Sequence, residues 1–341
     1  MIVFGFDSWY YKDYFKKNFE RHKFRKVSFG SDFVNIVCDD GVYYCEFLDP
    51  ISPQIPIKLV FSGKGYIKKI ASGEQHTIAI CDNNLYTWGI NIYDVHAPNR
   101  ILFFDDKNIR KIACGSYHSI VVCDDGVYAW GGNLFGQLGI GNIRDTRYPV
   151  KIDFFDGKHI RKIRCGKIHN IAVCDDGVYI WGNNETNQLG ITNILNAEIP
   201  IKLNFFNGKY INKIACGAFH NIVVCNDGVY AWGANYSGQL GKGDLIGAPT
   251  PVKIDFNQMH VQKISCGYHH TIAVCDNGVF AWGNNAYKQL GINDLHKTLS
   301  PIRLEQFDDK IVDKIFCRYN FSLFDAQEYL PIKAAIPTKM K

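Results

Sequence analysis

Apolar residues fall in short clusters along the chain, each alternating with polar positions and each ended by Gly, Asn or Asp. The stretch KIACGSYHSIVVCDDGVYAWG, which starts at Lys111, shows the pattern: three apolar clusters, split first by Gly-x-x-His and then by Asp-Asp-Gly. Alternation with a period of two, bounded by turn residues, predicts short half-buried strands. Asp-Asp-Gly predicts a tight hairpin, because glycine reaches the positive φ that such turns need. A fourth alternating cluster, YPVKIDF from Tyr148, follows a longer Gly-containing loop. Few stretches carry the i, i+3, i+4, i+7 spacing of an amphipathic helix, so the expected class is all-β.

The unit recurs. Its landmark glycines are Gly115, Gly166, Gly217 and Gly267, at offsets of 51, 51 and 50. Weaker copies carry Gly30 and Gly73, and a last copy has Arg318 in the glycine slot. Seven copies of four strands predict a seven-bladed β-propeller of four-stranded antiparallel blades. The last copy stops after Phe324 without its third strand, and Ile2-Val3-Phe4-Gly5 matches the missing piece. The N-terminal strand is therefore expected to close the ring by pairing with the last blade. The organisation read from this is one propeller over 1–325, with a C-terminal tail over 326–341. Its blades span about 20–47, 55–89, 99–131, 148–182, 198–233, 249–283, and 300–325 plus the closing strand 1–5. The length of 341 residues alone suggests two domains, and the repeat overrides it.

Composition narrows the classes. With 47% hydrophobic and 21% charged residues the chain can bury a core, which excludes a disordered protein. The net charge of +5 is too mild to declare a nucleic-acid binder. No apolar run approaches the roughly 20 residues of a membrane span. The start MIVFGFDSWYYKDYF lacks a signal peptide's smooth apolar stretch, so an intracellular protein, cytoplasmic or nuclear, is expected. All of the twelve cysteines but Cys45 occupy two repeat slots, and no Cys-x-x-Cys occurs. Core packing is expected for them, with a reducing compartment, rather than zinc or disulfides.

The candidate chemistry is sparse. His76, His118, His169, His220 and His270 share one slot, and Trp88, Trp130, Trp181, Trp232 and Trp282 share another. Five copies of a histidine read as a structural repeat position, each capping its own turn by bonding backbone or a hydroxyl on a neighbouring strand; the competing reading is a titratable ring at the channel mouth. No catalytic triad, paired-acid site or phosphate loop stands out, so no enzyme, cofactor or metal is expected.

Strand alternation places the Gly-x-x-His turns and the long loops on one face, and the Asp-Asp-Gly turns on the other. Residues between Gly and His vary from copy to copy, and exposed aromatics there are interface anchors. The candidate partner-binding residues are Glu74, Gln75, Tyr117, Lys167, Ile168, Phe219, Tyr268, His269, Arg318 and Tyr319. Ile168 and Phe219 are expected as unpacked loop tips, and Tyr117, Phe219 and Tyr268 as tips that carry little core. A basic, aromatic segment over 12–26 is a weaker candidate for nucleic acid or acidic lipid.

The consensus Gly-x-x-His-[Ser/Thr]-x-Ala…Asp-Gly-x-Tyr-x-Trp-Gly-x-Asn…Gly-Gln-Leu-Gly resembles the repeat of the regulator-of-chromosome-condensation propellers. Copies three to six carry nearly every position. The second copy departs, with Asn91-Ile92-Tyr93-Asp94 in the Gly-Gln-Leu-Gly place, and Phe33 and Phe321 fill the His slot of the first and last copies. The resemblance implies a scaffold more than one activity: a guanine-nucleotide exchange factor for the small GTPase Ran that sits on nucleosomes, ubiquitin-ligase adaptors, chromatin-enzyme scaffolds, a plant ultraviolet-B photoreceptor and bacterial effectors all share it. Light sensing needs a cluster of extra face tryptophans, and here only Trp9 lies outside the repeat slot. The expected function is a non-enzymatic protein-interaction scaffold using the loop face. The alternatives are exchange on a Ran-like GTPase and a chromatin- or nucleic-acid-associated adaptor. The Ran exchanger of the family carries a protruding hairpin and a basic tail, and the landmark offsets here leave no room for the hairpin.

Overall fold

The computed structural model describes residues 2–5, 17–19, 22, 24–46, 55–62, 65–89, 97–256, 260–293 and 295–328. Each regular repeat folds as an antiparallel meander in sequence order. In the third, Ile109–Cys114, His118–Cys123, Gly126–Gly131 and Thr146–Lys151 lie side by side. The second strand is buried at every position, because neighbouring sheets cover both of its faces. The fourth strand is the outer edge, and there Pro149, Pro200, Pro251 and Pro301 sit where a missing N–H costs no ladder bond.

Six sheets have this form, over 24–59, 67–100, 109–151, 160–202, 211–254 and 261–303. The expectation of seven four-stranded blades is thereby corrected: among the described residues the structure has six. The remaining sheet has three strands, Lys310–Arg318, Phe321–Glu328 and Ile2–Gly5. The N-terminal strand pairs antiparallel with Phe321–Glu328, placing Ile2 opposite Phe324 and Gly5 opposite Phe321. The other repeats form their outer strand from an alternating Pro-x-Lys-Ile type of segment, and the chain after Gly5 carries no such pattern. Residues 17–19 form a helical turn that buries Phe19 among Val27, Phe29, Cys38, Cys45 and Phe321. Each outer strand completes the sheet ahead of it, so the third sheet runs over 109–151 rather than 99–131, and the segment 148–182 straddles two sheets. The last strand also continues to Glu328, past the expected boundary at 325.

The inner strands adjoin one another around a central axis, and the strand Lys310–Arg318 meets Phe24–Phe29 to complete the circuit. At the junctions, one clasp recurs. Between the third and fourth blades, His118 Nε2 bonds Asn170 Oδ1 at 2.7 Å, while Asn170 Nδ2 and Trp181 Nε1 donate to the Gln137 carbonyl at 2.8 and 3.1 Å. His169, Asn221, Trp232 and Gln188 repeat it at the next junction. His220, Thr271, Trp282 and Gln239 repeat it with a hydroxyl. His76 reaches Ser119 Oγ at 2.8 Å and His270 reaches Ser322 Oγ at 2.9 Å. What these five histidines bond is the next blade rather than their own turn.

Two glycine slots serve the clasp. A Cβ on Gly115 would lie 2.0 Å from the His118 ring, so the glycine is the space for the imidazole. Gly139 has φ +72° and lies against the Trp181 indole, where a Cβ would be 2.8 Å from Nε1. The Gln-Leu-Gly segments of the third, fourth and fifth blades are thus latches onto the blade that follows. Trp88 takes Asn35 Oδ1 at 3.1 Å, and Trp130 packs against Phe104. Asn91–Asp94 lie outside the described residues.

All twelve cysteines are free thiols, ten of them buried, and burial pushes Cys114, Cys174 and Cys225 up to about 12. Among the described residues no helix is long and apolar enough to cross a membrane.

Burial pushes His76, His118 and His169 down to about 4, His270 to about 3, and His220 well below the ordinary histidine value. The unfolded chain takes up these protons near pH 6.5 and the native state does not, so stability present above pH 6.5 is lost as pH falls towards 4. Each histidine contributes up to about 1.4 kcal/mol per pH unit in that window. Urea midpoints measured from pH 7.5 to 4.5 should fall steeply below 6.5, and His169→Gln should flatten the slope; a level profile would contradict the buried clasp. The closing strand makes a second expectation. Phe4 sits 5.5 Å from the Phe324 ring and 6.1 Å from Phe307. Phe4→Ala should lower unfolding stability by about 2–4 kcal/mol, and an unchanged melting temperature would mean that this strand does not hold the closure.

Candidate interaction face

The Gly-x-x-His turns are stitched together around the axis by their own backbones. Ser31 N donates to Glu74 O, Glu74 N to Ser116 O, Ser116 N to Lys167 O, Lys167 N to Ala218 O, Ala218 N to Tyr268 O and Tyr268 N to Tyr319 O, at 2.8–3.2 Å. The first residue of each Gly-to-His pair is therefore fixed at the mouth of the axis. The second lies on its outer side, and its carbonyl accepts an N–H from the exit of the third strand, as Tyr117 O does from Gly132 N at 2.8 Å.

This division sorts the candidates. Glu74 is buried, and its carboxylate accepts from Ser116 Oγ at 2.8 Å and from the Tyr268 hydroxyl, with Lys167 Nζ at 3.4 Å. Burial alone would raise its pKa, but hydrogen bonds from Tyr117, Tyr268 and Ser116 and the Lys167 charge hold it below the usual carboxylate value. Tyr319 is buried with its ring 4.3 Å from Tyr268, and half-buried Arg318 lies over Tyr319 at 5.7 Å. Lys167 lies 5.6 Å from the Tyr268 ring centre and 6.0 Å from Phe219. Phe219 stacks on His269, whose ring accepts or donates to the Tyr236 hydroxyl at 3.2 Å. Gln75 and Ile168 are half-buried. Tyr117 is 46% exposed. The expectation of free tips is corrected for Tyr268 and Phe219, whose rings pack on Tyr319 and His269, and Ile168 is half-buried.

The long loops supply what the turns do not. Asn133 Oδ1 accepts the Leu138 N–H at 2.8 Å, and its amide donates to Asn142 O at 2.7 Å and Arg144 O at 3.1 Å, which holds the loop rigid. On that frame Leu134 is 68% exposed, and Tyr236 and Tyr287 in the corresponding loops are about half exposed. Sequence reasoning passed over these residues because they lie inside the Asn-to-Gln-Leu-Gly segment, which reads as structural. The available signal was the variation of the two positions after Asn: Leu134-Phe135, Glu185-Thr186, Tyr236-Ser237 and Ala286-Tyr287.

The opposite face is internally neutralised. Lys158 Nζ meets Asp176 at 2.6 Å, Lys107 and Lys209 pair likewise with Asp125 and Asp227, and Tyr128, Tyr179 and Tyr230 donate to the same three carboxylates. Hydrogen bonds from these lysines come first among the causes that hold the three carboxyls below their usual value. Among the described residues one group, His22, Cys38 and Asp40, brings three metal-donor types within 4.8 Å of one another. Its carboxylate already takes His22 at 3.0 Å, Lys58 at 3.3 Å and the Tyr43 hydroxyl at 2.5 Å, and burial pushes the Cys38 thiol up to about 12. Of the 12–26 segment, residues 12–16, 20, 21 and 23 lie outside the described residues.

A family model of the RCC1-like domain matches residues 16–259, and models of the regulator of chromosome condensation (RCC1) repeat match 261–289 and 276–324. The Ultraviolet-B receptor UVR8 of Arabidopsis thaliana is 33% identical over 202 residues, 55% of this chain and 46% of the receptor. The Protein RCC2 homolog of Xenopus laevis is 37% identical over 108 residues, 31% of this chain and 21% of that protein. The chain thus spans less than half the length of these curated relatives. Among solved structures, human WBSCR16 superposes with a TM-score of 0.78 at 23% identity, covering 91% of this chain and 88% of that one. Yeast RCC1 (Prp20), solved bound to Kap60, superposes with a TM-score of 0.77 at 21% identity, covering 91% and 81%. Such identities show a shared fold. Together with the match over 16–259, the repeats place this chain in the RCC1-like domain family.

Proposed function

We propose that the protein is a non-enzymatic interaction module that docks a protein partner on the face formed by the Gly-x-x-His turns and the long loops. The observation that carries this reading is an exposed set of apolar and aromatic side chains, Tyr117, Leu134, Tyr236 and Tyr287, mounted on backbone that the clasps and the Asn-anchored loops hold still. Tyrosines of this kind anchor interfaces, and a preorganised loop loses little entropy on binding. On the opposite face the exposed rings of Phe103, Phe205 and Tyr210 lie under Lys107, Lys209 and Arg161, cations already paired with Asp125, Asp227 and Asp175.

The second reading is exchange activity on a Ran-like GTPase or association with chromatin. It is favoured by the fold likeness to yeast Prp20p, whose structure is described together with its binding to Gsp1p and histones. An exchange factor needs only loops that distort the nucleotide site, so the docking face serves either reading.

A binding assay with a Ran-type GTPase and with histones as probes tests both. Each hot-spot truncation costs roughly 2 kcal/mol, so Tyr117→Ala, Leu134→Ala and Tyr236→Ala combined should abolish capture while the melting temperature barely moves. Asp125→Asn, Asp176→Asn and Asp227→Asn combined should leave binding within about threefold, because rim charges contribute little. Loss of the partner in the acidic-face variant alone would mean that the wrong face has been chosen. Acceleration of fluorescent-nucleotide release by wild-type protein would establish the exchange factor over the plain scaffold.

A further inference from the structure

Every repeat has lysine at one slot of its inner strand: Lys26, Lys69, Lys111, Lys162, Lys213, Lys263 and Lys314. Four of them have structural employment. Lys26 Nζ donates to Ile67 O at 3.2 Å and Lys263 Nζ to Val312 O at 3.0 Å, Lys69 donates to Arg110 O, and Lys314 meets Asp325 at 3.3 Å. Lys111, Lys162 and Lys213 come from three consecutive blades, and none has a hydrogen-bond or ion-pair partner among the described residues. All three are half-buried and border a cavity of 640 Å³ on the propeller axis.

The lining of that cavity is strongly one-signed. Eight of its seventeen residues are Lys or Arg and one is a carboxylate, a larger surplus than the +5 of the whole chain. The carboxylate, Asp313, already accepts from Gln327 Nε2 at 3.0 Å. Of the cations, Arg161 is paired with Asp175 at 3.2 Å. Arg164 donates only to its own strand at Ile163 O. Burial, followed by the charges of Arg161, Lys213, Arg164 and Lys111, lowers the pKa of Lys162 from the ordinary lysine value. Cations gathered in a cleft with low-dielectric walls focus a positive field, and an anion relieves their repulsion. The volume suits a small ligand. At the Gly-x-x-His end, Tyr268, Tyr319 and Arg318 converge on the axis, which favours a compact occupant over a threaded polymer.

We propose that the axial cavity binds a small, multiply phosphorylated molecule, with Lys111, Lys162, Lys213 and Arg164 as its phosphate contacts. This site is separate from the docking face, and the Tyr117, Leu134 and Tyr236 variant should keep it intact.

Titration calorimetry on the full chain at about 0.15 M salt tests the proposal with three probes: inositol hexakisphosphate, ATP and inorganic phosphate. One of the two polyphosphates should bind with one-to-one stoichiometry, inorganic phosphate at least about 100-fold more weakly, and the stronger probe separates an inositol from a nucleotide source. Lys111→Gln, Lys162→Gln and Lys213→Gln combined should weaken binding at least about 30-fold and, with the repulsion relieved, should raise the melting temperature without ligand. Lys107→Gln, Lys158→Gln and Lys209→Gln on the outer face should change affinity less than about threefold. If the cavity variant fails to fold by circular dichroism, Lys162→Gln alone should still weaken binding about fivefold. No saturable binding by either polyphosphate, or equal losses from the cavity and outer-face variants, would overturn the site. So would displacement by polyglutamate or a single-stranded oligonucleotide at equal charge concentration, which would mark a non-specific basic surface.

Discussion

The clasp between blades is the constraint from which the rest of the molecule follows. A buried imidazole is costly unless its donor is used, and here the Asn170 side chain uses it while its own amide goes to the Gln137 carbonyl. That carbonyl also takes the Trp181 indole N–H. Four groups from two blades bond one another, while the buried imidazole Nδ1 of His118 has no partner among the described residues, and exchanging one member alone leaves a further buried donor or acceptor unmade. The glycine beside each histidine belongs to the same unit, because a Cβ there would occupy the imidazole's place. Where phenylalanine fills the histidine slot the outcome differs: the first repeat keeps Gly30, whose missing Cβ leaves space for the Phe33 ring, and the last has Arg318 beside Phe321. The junction back to the first blade is then made by stacking Phe321 on Phe29, with the rings 6.0 Å apart and nearly parallel.

With the blades clasped and their turns stitched, each repeat is left with few positions free to vary at the loop face. The first residue after glycine is turned into the mouth of the axis, and the second is half-covered or exposed according to its neighbours. The Asn-to-Gln loop contributes two more. On the docking reading proposed above, individual function on this face would be carried by residues that the repeat's own chemistry does not consume. Leu134 belongs to that set; Tyr117 and Tyr236 stay about half exposed although their hydroxyls meet Glu74 and His269, whereas Tyr268 is drawn inward onto Glu74.

Strands, hairpins, repeat period and the origin of the closing strand were legible because each rests on local chemistry: alternation, Asp-Asp-Gly turns and a missing third strand that the N-terminus matches. The number of four-stranded blades was not. Counting glycine landmarks finds repeats and is blind to whether each one carries an outer strand. The absence of a Pro-x-Lys-Ile segment after Gly5 was the available clue. Burial of the candidate site was also hidden, since the stitching of Glu74 to Ser116 and of Tyr268 to Tyr319 joins residues about fifty positions apart by backbone groups that every residue possesses.

The lysines make the same point about charge. Lys158 and Lys162 are four residues apart, yet one sits on Asp176 at the rim and the other faces cations on the axis. A net charge of +5 averages these two situations into a mild number. What separates them is strand geometry: the connection before each inner strand lies beside the Asp turn of its own blade, whereas the third residue of that strand has turned towards the axis, where each blade brings another lysine. Cyclic repetition thus converts one unremarkable lysine per repeat into a concentrated positive field, and it does so only after the blades have closed around it.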